Sequence, residues 1–251
     1  MKDFYESSEA LEQYLFFHYG AAKDYLPFSG SPREALDYPR RAVKELLDSK
    51  LLPKRGAQAL DLGCAVGATS FALSRYCASV TGIDLSRTFI RAARRMQRER
   101  AIPFRYKIEG NRRGSTTLRL PTGCKSERVA FKVGDAMKLP TALSGFDVVV
   151  MLNLIDRLPD PAACLRDIAK RIRPGGQVII ASPYTWMEAC APKSKWLGGR
   201  GDMENVAAMG EALGAAFRLR RRRQMPFIIR EHARKYQWSV AEGTMWVRED
   251  T

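Results

Sequence analysis

At 251 residues, 45% of them hydrophobic and 27% charged, the chain is long and apolar enough to bury a substantial core, and disorder is not its default state. It has no run of roughly eighteen apolar residues to cross a membrane, and acids precede its first apolar run, the wrong order for a secretory leader, so a cytoplasmic protein without a membrane partner is expected. Five cysteines with no C-x-x-C pair and two histidines argue against a disulfide framework and against a metal site, while a formal charge of +15 keeps acidic partners in view.

Residues 6–20 read as an apolar-periodic helix and 33–51 as a second one ending near Pro53, so residues 1–55 are expected to form a helical cap or lid. Strand one is Gln58–Gly63, followed by a helix at 67–77, strand two at Ser79–Asp84 and a charged helix at 86–100. Residues 101–128 are too long for an ordinary αβ connection and predict an inserted hairpin or lid. Strand three is Val129–Asp135 and strand four Phe146–Asn153; a helix at 161–173 and the turn Pro174-Gly175-Gly176 lead into strand five, Gln177–Ser182. A helix near 203–214 precedes strands at about 216–225 and 240–248, placed as an antiparallel hairpin on the sheet edge. The alternation predicts one α/β domain over residues 1–251, with a doubly wound, mostly parallel seven-stranded sheet.

The segment DLGCAVG at 61–67 lies where strand one turns into a helix. Glycines there let backbone approach a ligand, and the helix start offers free N–H groups, although such a turn alone would equally serve a nicotinamide dinucleotide. Asp84 ends strand two, where a carboxylate can accept two ribose hydroxyls. Asp135 ends strand three and Asn153 ends strand four. Open α/β sheets bind ligands outside the carboxyl ends of their strands, so four successive strands place polar groups on one rim. Taken singly, each of these residues could be a cap or turn residue.

These residues resemble the class I methyltransferases that use S-adenosylmethionine (SAM). The resemblance implies SAM as cofactor, with Asp61 toward the methionine ammonium, Gly63 and Gly67 against the methionine portion, Asp84 on the ribose, and Asp135 and Ala136 at the adenine. Cys64, Leu85 and Asn153 complete the expected cofactor set, with Tyr14, Tyr19 and Arg40 as lid contacts, Arg40 at the SAM carboxylate. Ala65 replaces the central glycine of the common pattern, tightening the turn.

A narrower resemblance rests on QYLFFHYG (13–20), ALDYPRRAV (35–43), SPYTWMEACAPKSKWLGG (182–199) and MPFIIREHARKYQWSVAEGTMW (225–246), which look like the methyltransferase of ovothiol biosynthesis. That family methylates an imidazole nitrogen of 5-thiohistidine to give ovothiol A, commonly from behind an iron-dependent sulfoxide synthase. The resemblance implies a separate synthase as functional partner here, and the selenohistidine analogue is an equally compatible acceptor. An amino-acid acceptor calls for a guanidinium and a carboxylate or carbonyl. Arg157, Tyr184, Trp186, Arg230, Glu231 and His232 are therefore the substrate-binding candidates, and His232, Tyr184 and Asn153 the catalytic ones, with His232 or Tyr184 holding the ring in its reactive tautomer. If residues 226–238 are extended, Arg230, His232 and Arg234 share a face, and if they are helical Arg230 and Arg234 still do. Glu109 and Arg113 could reach a substrate from the insertion.

Two rival readings stand beside this one. Basic clusters at Arg91–Arg100, Arg112–Arg113 and Arg218–Arg223 suit a nucleic-acid methyltransferase. They contain no stacking aromatics, however, and Asn153-Leu154-Ile155-Asp156 stands where base-attacking enzymes usually carry N/D-P-P-Y/F, so nucleic acid is the less expected partner. A non-catalytic subunit that binds a sulfoxide synthase is the other, and the full set of rim acids argues against it.

Overall fold

Continuous apolar strands buried on both faces demand helices on each side, and the computed structural model, which describes residues 2–199 and 201–249, has that layering. The strands are β1 (Gln58–Leu62), β2 (Ser79–Asp84), β3 (Ala101–Glu109), β4 (Arg112–Arg119), β5 (Val129–Val133), β6 (Phe146–Leu152), β7 (Ile172–Ser182), β8 (Phe217–His232) and β9 (Lys235–Arg248). Seven of them make one sheet in the order β5-β2-β1-β6-β7-β9-β8. β5 through β7 run parallel, and β9 pairs antiparallel with both β7 and β8.

The helices are α1 (Lys2–Glu6), α2 (Ser8–Tyr19), α3 (Ala22–Tyr25), α4 (Tyr38–Leu46), α5 (Ala68–Leu73), α6 (Arg87–Glu99), α7 (Pro161–Arg171) and α8 (Asn205–Leu213). Strand alternation separates two cores: Ala59, Val148 and Val150 face α4, α5 and α6, while Leu60, Val149 and Met151 face α7 and α8. α6 joins its core through Phe89, Ile90, Ala93 and Met96, and it starts where Ser86 Oγ accepts the Phe89 N–H at 3.0 Å. No described helix is long and apolar enough to cross a membrane.

Segments that differ from the sequence-based expectation include β7, which starts at Ile172 and takes in Pro174-Gly175-Gly176, expected as the turn before strand five. The first helix is interrupted at Ser7, whose hydroxyl accepts the Ala10 N–H and restarts the helix as α2. Residues 33–51 contain only α4 flanked by two short 3-10 turns. β8 and β9 are much longer than the predicted strands. β9 leaves β7 at the pair Ser182–Glu242, and Met225–His232 and Lys235–Ala241 continue as a two-stranded arm past the carboxyl ends of the parallel strands. The insertion forms the β3–β4 hairpin, which the arm and α2 hold in place: the Ala233 N–H donates to the Ile108 carbonyl, and Glu12 accepts the Lys107 N–H.

Candidate active site

The carboxyl ends of β1, β2, β5 and β6 open into one cavity, roofed by α1 and α2 and reached by the arm. Its wall includes Gly63, Cys64, Ala65, Asp84, Leu85, Asp135, Ala136, Asn153, Tyr14 and Arg157 among the residues singled out from sequence. Tyr5, His18, Tyr38, Thr69 and Ile229 also line it.

The loop after β1 is built to hold Asp84. Gly63 and Cys64 both donate their N–H to the Ile83 carbonyl, at 2.8 and 3.0 Å, tying the loop to β2. Gly63 (φ 75°) and Ala65 (φ 46°) lie in the left-handed region, which costs a non-glycine residue about 1–2 kcal/mol. Ala65 offsets that strain by donating its N–H to Asp84 Oδ2 at 2.9 Å, and the Ser86 N–H donates to Oδ1 at 2.9 Å. Asp84 is thus fixed at the cavity wall with spare acceptor capacity on both oxygens, the requirement for reading a ribose diol. Burial raises its pKa, and these backbone donors oppose the rise. Asp135 uses Oδ1 to accept the Met137 N–H at 2.9 Å, and Oδ2 has no hydrogen bond among the described residues. Asn153 takes a left-handed conformation (φ 52°) and accepts the Tyr38 hydroxyl at 2.9 Å, placing an amide at the strand-four lip. This set of groups, on one continuous wall, fits an adenosyl cofactor.

Several expected site residues lie elsewhere, each for a local reason. Asp61 is buried beneath the loop, where it accepts the Ser70 hydroxyl at 2.6 Å, and burial pushes its carboxyl up to about 7. Gly67 (φ 94°) supports packing and not ligand approach, because a Cβ there would stand 2.6 Å from Phe131. Tyr19 reaches the loop from behind, donating to the Val66 carbonyl at 2.7 Å. Arg40 is held by Asp37 at 2.5 Å and lines a different cavity, beyond α2, with Arg119 and Leu120.

The carboxyl-terminal candidates are likewise displaced. Alternation along the arm turns Ile229 to the cavity, so Arg230 faces away. Its guanidinium lies between the rings of Phe16 and Tyr106, 4.9 and 4.8 Å from their centroids, and donates to the Asp24 and Lys107 carbonyls. Glu231 pairs with Lys235 at 2.8 Å, and His232 accepts the Arg234 N–H through Nδ1 at the arm's tip. Tyr184 donates to Glu242 at 3.0 Å behind the wall. Trp186 stacks on Trp196 and donates to Asn205 at 3.1 Å, which folds its loop toward α8 and away from the cavity. Glu109 pairs with Arg112 and Arg234, and Arg113 with Glu12, so neither approaches the cavity.

Arg157 stands on the wall as a guanidinium already oriented. Asp156 accepts from it at 3.0 Å, and it donates to the Thr185 carbonyl at 2.6 Å. Tyr38 was an informative residue that sequence reasoning passed over, and His18 stood there only among Phe16–Tyr19, the aromatic group considered for closing the cofactor cleft. Their segments, QYLFFHYG and ALDYPRRAV, stood out, but nothing in helical spacing shows which aromatic faces a ligand.

A sheet of this order with a polar lip at the strand ends is the fold of class I SAM-dependent methyltransferases, and the cavity fits SAM as cofactor. Residues 60–180 match the family described as a methyltransferase domain. A methyltransferase named GfsG from Streptomyces halstedii is 29% identical over 183 residues, covering 71% of this chain and 56% of that protein. A ubiquinone biosynthesis O-methyltransferase from Xylella fastidiosa is 30% identical over 134 residues, covering 53% of this chain and 45% of that protein. The chain therefore spans about half the length of these curated relatives. Among solved structures, magnesium protoporphyrin IX methyltransferase from Synechocystis PCC 6803 with bound SAM has the same fold, with a TM-score of 0.60 at 16% identity over 99% of this chain and 95% of that one.

Proposed function

We propose that the protein transfers the methyl group of SAM to an imidazole nitrogen of a small amino acid, 5-thiohistidine or its selenium counterpart, delivered by a separate iron-dependent sulfoxide synthase. The observation that carries this reading is the chemistry of the cavity wall. Arg157 offers a fixed guanidinium for a carboxylate, while His18, the histidine on the wall, has Nδ1 occupied by the Ala68 N–H at 3.3 Å and is pushed down to about 3 by burial. A group of that kind is a poor general base, which favours an acceptor that brings its own lone pair over a hydroxyl that must be deprotonated. The resemblance of the SPYTW and REHARKYQW blocks supplies the acceptor's identity, although Arg230 and His232 act in the scaffold.

When bound, SAM supplies an electrophilic methyl group on a sulfonium. The protein's part is alignment and exclusion of water, the main source of rate in such a transfer. Asp84 and Asp135 fix one end of the cavity, the Tyr38–Asn153 pair sets the lip, and α1, α2 and Ile229 close the roof. The O-methyltransferase name of one relative favours a second reading, a hydroxyl acceptor.

Incubating the protein with SAM and, separately, histidine, 5-thiohistidine, selenohistidine, ergothioneine and a catechol distinguishes the two by mass spectrometry. Methylated thiohistidine or selenohistidine is the expected product. Methylation of the catechol alone would overturn the imidazole reading in favour of the second.

A further inference from the structure

We propose that His18 is the residue that recognises the carboxylate of the SAM methionyl tail, donating a hydrogen bond from Nε2 as a neutral ring. The inference rests on the cofactor assignment and is independent of the acceptor.

The direction of α2 locates the contact. Tyr14 and His18 are one helical turn apart and both line the cavity. Tyr14 packs on Phe89 at a centroid distance of 4.8 Å, above the α6 start that follows Asp84. His18 meets Ala68, just past the far end of the β1 loop. The roof therefore runs from the ribose-reading carboxylate toward the loop that faces the methionine portion, and His18 stands at that second end beside Thr69.

The tautomer follows from the hydrogen bond. Because Nδ1 accepts the Ala68 N–H, the neutral ring carries its proton on Nε2, which has no protein partner among the described residues. An unpartnered N–H donor on a cavity wall, in a ring otherwise buried, is free to meet an acceptor from the ligand. The cation expected from sequence is already paired: Arg40 is bound to Asp37 in the cavity beyond α2, which His18 also lines, and it does not line the first cavity. Arg157 does line the first cavity, but it is held by Asp156 and Thr185 at the strand-four side.

Two variants separate recognition from structure. His18→Asn keeps an acceptor for the Ala68 N–H but removes the Nε2 donor, and His18→Gln restores a donor at the longer reach. Titration calorimetry with SAM and with decarboxylated SAM reads the contact without turnover. For His18→Asn the expected result is a roughly ten- to hundredfold weaker Kd for SAM, the range for a hydrogen bond to a charged group, with the decarboxylated compound unchanged. His18→Gln should recover most of the loss. Equal weakening of both ligands would reduce His18 to a packing residue and overturn the proposal, as would an unchanged SAM affinity. A selective loss in Arg157→Gln with none in His18→Asn would transfer the carboxylate to Arg157. Failure of the wild-type protein to bind either ligand would instead remove the cofactor assignment.

Discussion

Asp61 shows how a residue can belong to a ligand-binding motif without touching the ligand space. It opens the motif, yet its side chain turns under the loop to Ser70 and is 1% exposed. Burial raises its carboxyl from 3.8 to about 7, with the Ser70 hydroxyl opposing and Asp84 adding to the rise. A carboxyl whose folded pKa exceeds its unfolded value stabilises the fold fully below the unfolded value, and that contribution is lost as pH rises through the folded one. Asp61 should therefore weaken the protein progressively between about pH 4 and 7, by at most about 4 kcal/mol. Asp61→Asn keeps an acceptor for Ser70 and cannot ionise. The difference in melting temperature, variant minus wild type, is expected to grow from pH 5 to pH 8, and a difference independent of pH would show that Asp61 does not titrate in that window.

At the scale of elements, the long β8–β9 arm determines whether the cavity has a roof. β8 brings Phe227 against Phe17 and Tyr38, and Ile229 onto the wall. Arg230 locks this strand to three other elements at once: it stacks on Phe16 of α2 and Tyr106 of β3, and donates to Asp24 of α3. A buried guanidinium joined to two carbonyls and two rings contributes more than a surface charge, and its loss leaves those carbonyls short of donors. Arg230→Ala is expected to lower folding stability by about 3 kcal/mol, seen as a reduced urea midpoint, while leaving the acceptor KM unchanged in the folded fraction. An acceptor KM raised tenfold at unaltered stability would return Arg230 to the substrate site. This arm also marks where sequence reading reached its limit. β1, β2, β5 and β6 were legible because short apolar runs end at glycine, acid or amide, and the rim residues Asp84, Asp135 and Asn153 follow from those ends. REHARKYQW is polar on both faces, so its period gives neither its length as a strand nor the direction of Arg230; that direction is set by α2 and β3, which are remote in sequence.

For the whole molecule the open question is what a charge of +15 does. Its two densest clusters lie at opposite edges of the sheet, on α6 beside β5 and on β8. Much of that charge is already engaged. Arg94 donates to the Phe131 carbonyl, Arg95 pairs with Glu99, and Arg100 donates to Ser126. On β8, Arg218 and Arg220 pair with Glu249, Arg221 with Asp48 and Arg222 with Glu242. Nucleic-acid affinity depends on neutralising successive phosphates along one track, and clusters divided between two edges do not make one. Weak, non-specific RNA binding that falls steeply with salt is the expected behaviour, since exposed arginines still attract phosphate. At about 150 mM salt, where the screening length is near 8 Å, RNA should leave SAM binding and methyl transfer to the small acceptor unchanged. Competitive inhibition by RNA that persists at that salt would place phosphate at the cavity mouth and make the nucleic-acid reading the stronger one.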